Sequence, residues 1–99
     1  MKIYRYTTKG EGVFSAGRRL MPKELTDEVL ENKKWLVKPE LTEGVYLFYL
    51  TEKGREEYEK KLLNSHKKYL TDIKLETHEK ENLKKIVYED EYQIVEKLK

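Results

Sequence analysis

Residues 45–50 read Val-Tyr-Leu-Phe-Tyr-Leu, six apolar or aromatic side chains with no polar interruption. A strand sends successive side chains to opposite faces, so this run predicts a strand covered on both. In a chain of 99 residues the second cover comes either from the protein's own helices or from another subunit. A homodimer through Val45–Leu50 is therefore one expectation. Pro39 and the turn residues Glu40 to Gly44 set the run off on one side. Thr51, a good N-cap, ends it on the other.

The neighbouring segments predict the rest of the fold. Behind Thr51, Glu52, Glu56 and Glu57 suit the positive end of a helix dipole, and Tyr58, Leu62, His66, Tyr69 and Leu70 form one stripe. That predicts a helix over about 52–70. Pro22 suits a first helical turn, and Leu25, Val29 and Leu30 share a face, giving a second helix over about 22–33 that ends near Asn32. Ile3 to Thr8 is rich in strand formers, Gly10 and Gly12 mark a turn, and Val13 to Ala16 reads as the returning strand. Trp35-Leu36-Val37 reads as a short strand stopped by Pro39, and Ile73 and Leu75 as another. After a short helix or loop at 79–84, Ile86-Val87-Tyr88 and Tyr92-Gln93-Ile94-Val95 read as strands split by Glu89-Asp90-Glu91. The sum is an α+β class: a small antiparallel sheet with two main helices in one compact domain, 1–99.

Charge narrows the functions. Charged residues are 40% of the chain, against roughly 25% in an ordinary domain, yet the net charge is only +2. A histone-like polycation and an acidic solubiliser are both excluded. The charge is unevenly spread: residues 1–23 hold Lys2, Arg5, Lys9, Arg18, Arg19 and Lys23 against Glu11 alone. Such asymmetry suits a surface that meets an anion. The chain has no cysteine, which excludes disulfides, thiolate catalysis and Cys-type zinc sites. No run approaches the roughly 18 apolar residues of a membrane span, and the first residues lack an apolar signal region. The expectation is a soluble, cytoplasmic protein with no membrane partner. Lys and Glu dominate the charges while Asn and Gln are scarce, a bias found in thermophile proteins.

The first quarter is the best functional candidate. Tyr4, Tyr6 and Phe14 are interleaved with Lys2, Arg5, Lys9, Arg18 and Arg19. Aromatic faces stack on unpaired bases while Arg and Lys meet phosphates, so this mixture suits single-stranded nucleic acid or a nucleotide. If residues 3–8 form a strand, Tyr4 and Tyr6 share one face and Arg5 takes the other, and the two tyrosines equally suit a core. Gly10, Gly12 and Gly17 before Arg18 and Arg19 invite a nucleotide-phosphate loop, although neither the P-loop nor the dinucleotide spacing is present. His66 lies on the apolar stripe as a core histidine; with His78 it makes no metal signature, and Glu89-Asp90-Glu91 reads as a solvated turn. No paired acid and base emerges, so neither cofactor nor metal is expected.

Two resemblances add to this reading. Trp35-Leu36-Val37, the turn, Val45 to Leu50 and Leu50-Thr51-Glu52-Lys53-Gly54-Arg55 resemble the wing of winged-helix regulators of the MarR and PadR kind, over about residues 35–58. There a helix ends, a two-stranded hairpin follows and a Leu-Thr-x-x-Gly-Arg step opens the next helix, which implies DNA binding. The helix at 22–33 that would read DNA carries Glu24, Asp27, Glu28 and Glu31 against Lys23 and Lys33. Arg5, Ser15 and Glu89 or Glu91 also resemble the Arg-Ser-Glu order of ADP-ribosyltransferases, which would imply NAD binding. The residues themselves favour a small non-catalytic module that binds nucleic acid through Tyr4, Arg5, Tyr6, Lys9, Arg18 and Arg19. The alternative is a protein-interaction module, an inhibitor or adaptor from a mobile element.

Overall fold

The computed structural model describes residues 1–99. The chain forms β1 (Lys2–Thr8), β2 (Glu11–Gly12), α1 (Val13–Leu20), α2 (Lys23–Asn32), β3 (Tyr46–Leu50), α3 (Glu52–Lys61), α4 (Leu63–Lys67), β4 (Ile73–Glu79), β5 (Ile86–Glu89) and β6 (Gln93–Lys97). A 3-10 turn at Lys80–Asn82 joins β4 to β5. The class is α+β, as the sequence predicts, and every strand pairing is antiparallel.

The first strand is the centre of the sheet. β4 pairs with its whole length, from Lys2↔Glu79 to Thr8↔Ile73. Its other edge meets β2 at Thr7 and Thr8 and β3 at Tyr4↔Leu50. β6 then continues from β3, and β5 closes the far edge. Lys9 and Gly10 turn β1 into β2 with φ of 51° and 83°, the left-handed geometry that a two-residue hairpin turn requires.

The helices gather on one face. Tyr6 and Leu50 point there, into a core shared with Val13, Ala16, Leu25, Tyr58 and Leu62. Ile3, Tyr49 and Ile94 form a smaller cluster on the other face, with Leu47 and Leu83 against them. β1 is buried on both sides, through Tyr4 and Tyr6 on one and Ile3 and Thr7 on the other, as is β6 along Gln93 to Glu96. The expectation of full cover for Val45–Leu50 needs correction within this chain: Val45 stays 50% and Phe48 48% exposed. The physical reason is position. β1 has ladder partners along both edges and layers over both faces, whereas β3 meets β1 at one pair only.

Four local expectations are also corrected. Val13 to Ala16 is the start of a helix, not a returning strand; only Glu11–Gly12 returns. Val13, Ala16 and Gly17 are the buried positions of α1, a helical spacing that hides behind strand-forming Val-Phe. Arg18 and Arg19 complete its last turn, where cations complement the dipole. Met21, extended before Pro22, ends it. Trp35-Leu36-Val37 forms a turn rather than a strand. Its indole N–H donates to Asn32 O at 2.9 Å, its ring meets Tyr92 at 5.3 Å, and the Gln93 amide donates to Val37 O. The predicted long helix is two: the axis breaks at the wholly buried Leu62, and α4 turns to meet α2, where Ser65 Oγ donates to Glu28 at 3.0 Å. Leu30 and Tyr69, placed on buried stripes by their spacing, are half-exposed.

The Leu-Thr-x-x-Gly step is a clamp. Thr51 Oγ1 accepts from Gly54 N at 3.1 Å, which caps α3, and donates to Glu91 O at 2.6 Å. Thr51 N donates to Tyr92 O at 3.0 Å. One threonine thus ties the start of α3 to the β5–β6 turn.

Candidate functional site

The six candidate residues do not lie together. Tyr4 and Tyr6 are inside, 6% and 8% exposed. The Tyr4 ring lies under the Arg55 guanidinium at 4.7 Å. The Tyr6 ring packs on Tyr58 at 4.6 Å and its hydroxyl donates to Glu59. Burial, reinforced by Glu59, pushes the Tyr6 hydroxyl up to about 12. Arg5 sits on the opposite face of the sheet, 3.5 Å from Glu76. Lys9 is exposed at the β1–β2 turn. Arg19 pairs with Glu11, which also accepts from Ser15 Oγ, and the two donors hold the Glu11 carboxyl below its usual range. Arg18, exposed on α1, is left to act outward.

Arg18 does have company that spacing alone conceals. It borders a groove of about 170 Å³ between α1, α2 and α4, whose lining includes Phe14, Gly17, Met21, Lys33 and His66. Lys33 closes α2, and its ammonium lies over the Phe14 ring at 5.6 Å. Burial holds that ammonium below its usual value, and the cations of Arg18 and Lys38 push it down further. No carboxylate counters them. Arg18 and Lys33 thus line the groove with no carboxylate among its lining, and the charge of Lys38 adds to theirs. A half-buried cation among like charges is an unfavourable arrangement until an anion arrives.

The floor of this groove is neutral. His66 is 1% exposed, and burial together with Lys33 lowers it to about 4. Its Nδ1 lies 2.6 Å from Tyr58 Oη. The core reading of His66 is therefore sound, but its ring also reaches the groove.

A larger concavity, about 340 Å³, lies on the other sheet face beside Tyr49, His78, Glu79, Asn82 and Glu96. Glu96 is buried there and accepts from Lys84 N at 3.0 Å and from Tyr49 Oη at 3.4 Å. Its carboxylates oppose an anion, whereas the smaller groove carries Arg18 and Lys33. The residues of the Arg-Ser-Glu order are engaged separately: Arg5 with Glu76, Ser15 with Glu11, Glu89 with Lys80 and Glu91 with Lys53. No helix is long and apolar enough to cross a membrane.

Sequence reasoning missed Lys33 and Lys38. The available signal was Phe14 and Arg18 at i, i+4, legible once residues 13–20 are read as a helix. No family model, curated protein or solved structure matches the chain.

Proposed function

We propose that the protein is a small non-catalytic module that binds single-stranded nucleic acid through the cationic corner of α1 and the end of α2. The observation that carries this reading is Arg18 and Lys33 on one groove, the Lys33 ammonium over the Phe14 ring and the Lys38 charge acting on it. Cations meet phosphates, and an aromatic face beside them accepts an unpaired base. A duplex is the poorer partner. α2 carries Glu24, Asp27, Glu28 and Glu31 along its length, and these would repel a second phosphate backbone. Tyr4 and Tyr6 serve the core in this reading, and Lys9 adds charge at the periphery.

The test is fluorescence anisotropy with labelled single-stranded RNA, single-stranded DNA and duplex DNA across a salt series. The expected result is micromolar binding of single strands that weakens steeply with salt. In the Arg18→Ala, Lys33→Ala, Lys38→Ala variant the logarithmic salt slope should fall by about 2, at roughly 0.7 per lost contact. Equal binding by wild type and a folded variant, or none at low salt, refutes the reading. The half-exposed Val45 and Phe48 favour the second reading, a protein-interaction surface or homodimer. Sedimentation that shows a dimer in wild type and a monomer in Phe48→Ser would shift the balance to it.

A further inference from the structure

Buried Tyr58 has one hydroxyl hydrogen to place, and the hydrogen bond it makes is to His66 Nδ1 at 2.6 Å. A buried hydroxyl that does not donate is costly, so Nδ1 is the acceptor. The ring is neutral, and its hydrogen therefore sits on Nε2. Nε2 faces Gly17: a Cβ built there would lie 3.3 Å from Nε2 and 3.2 Å from Met21 Sδ. A side chain at position 17 would crowd this end of the ring, which the groove reaches beside Gly17 and Met21. Nε2 makes no hydrogen bond within the chain, and His66 lines the groove below Arg18 and Lys33. The result is a nearly buried N–H donor without an acceptor, on the floor of an apolar-walled groove with two cations above it.

We infer that this groove is a receptor for a phosphomonoester, with His66 Nε2–H donating to a phosphate oxygen and Arg18 and Lys33 balancing its charge. Three features select that group. Two cations and a neutral donor match the charge of −1.5 to −2 on a monoester at neutral pH better than the single charge of a backbone diester. A volume of about 170 Å³ lies below the roughly 300–1,000 Å³ of a site that encloses a whole ligand, so a terminal group fits and a nucleoside does not. A monoester has chain on one side only and reaches the floor end-on; a diester must carry chain out of the groove in both directions. Phe14, at the groove beside Lys33, is placed to meet the sugar or base that follows. The source of the phosphate rests on the nucleic-acid reading; the site itself does not.

The experiment has two arms. Inorganic phosphate at pH 7.5, against chloride of equal ionic strength, is titrated into ¹⁵N-labelled protein while the His66 Nε2 and Nδ1 resonances are followed. Single-stranded DNA with a 5′ phosphate is compared with the same strand ending in a 5′ hydroxyl. The expected results are a saturable phosphate-specific shift at His66 Nε2–H and at least tenfold tighter binding of the phosphorylated strand. Lys33→Gln and Arg18→Gln, which keep their stems and avoid the core, should each remove that preference. A phosphate shift with no binding of either strand sustains the groove as a phosphomonoester site for small molecules and refutes the nucleic-acid reading. Equal binding of the two strands with no shift at His66 refutes the groove and leaves the nucleic-acid reading standing. A shift that persists unchanged in the Lys33→Gln, Arg18→Gln double variant also refutes it, because the cations would then play no part.

Discussion

Gly54→Ala should unfold this protein far more easily, although alanine is the better helix former. Gly54 lies in the first turn of α3, against the β5–β6 turn. An ideal Cβ there falls 2.0 Å from Tyr92 O, a full 1 Å inside the closest separation that real Cβ atoms adopt. The obstacle is backbone, which has no rotamer to change. Helix and turn must therefore separate, and the bonds that hold them are those of Thr51: its N–H to Tyr92 O at 3.0 Å and its hydroxyl to Glu91 O at 2.6 Å. Overpacking of this kind costs about 1–3 kcal/mol, and each hydrogen bond lost adds about 1 kcal/mol. Replacing glycine in a helix returns about 1 kcal/mol. The expected net loss is about 2–4 kcal/mol, or a fall in Tm of about 10–30 °C for a domain of this size. Urea unfolding followed by circular dichroism, with Lys60→Ala as an exposed helical control, measures it. A Gly54→Ala protein as stable as wild type, or more so, would mean that propensity outweighs the contact. The clamp reading of residues 51–54 would then be wrong.

Two further outcomes are expected. His66 lies at about 4 in the folded protein against 6.5 ordinarily, so the unfolded chain takes the proton first; the groups around it are Tyr58, Lys33 and Arg18, with no carboxylate to hold the charge. Stability is then complete above about pH 6.5 and falls toward pH 4 by about 3 kcal/mol in all, and urea midpoints at pH 7 and pH 5 that differ equally in wild type and His66→Phe would refute this. The Lys- and Glu-rich, Asn-poor composition predicts a Tm above about 75 °C by scanning calorimetry, and a value in the mesophile range of about 45–65 °C would refute it.

What could be read from the sequence is what local chemistry decides. The helix at 22–33 is bounded by a proline and lies at Lys23–Asn32. The capping threonine starts α3 where expected, and the β-branched runs around Glu89-Asp90-Glu91 become β5 and β6. The errors fall where tertiary pairing decides. Trp35-Leu36-Val37 has strand residues but is held in a turn by side-chain contacts, the Trp35 indole on Asn32 O and Tyr92 and the Gln93 amide on Val37 O. Hydropathy nominates β3 as the most covered strand, yet β1, with its arginine and threonines, is central because β4 returns to it from 70 residues away. The site divides the same way. A basic excess near the start is visible in the sequence, but which cations stay unpaired is not. Arg5 is neutralised across a strand pair by Glu76, and Arg19 by Glu11 next to its own helix. Lys33, from the end of α2, belongs to the cationic corner only because α1 and α2 fold back on each other.

A net charge of +2 looks too small for the proposed phosphate site, but that sum hides where the charges lie. Arg18 and Lys33 line the groove among the helices, while Glu79 and Glu96 line the cavity on the opposite face of the sheet. The molecule measures 36 × 27 × 26 Å. At physiological ionic strength the Debye length is about 8 Å, a fraction of even the shortest of these dimensions. A phosphate at the helical corner therefore feels the cations beside it and almost nothing of the carboxylates behind the sheet. The sum over the chain is the wrong quantity for judging an anion partner. The relevant one is the charge at the groove itself, whose charged lining residues Arg18 and Lys33 are both cationic.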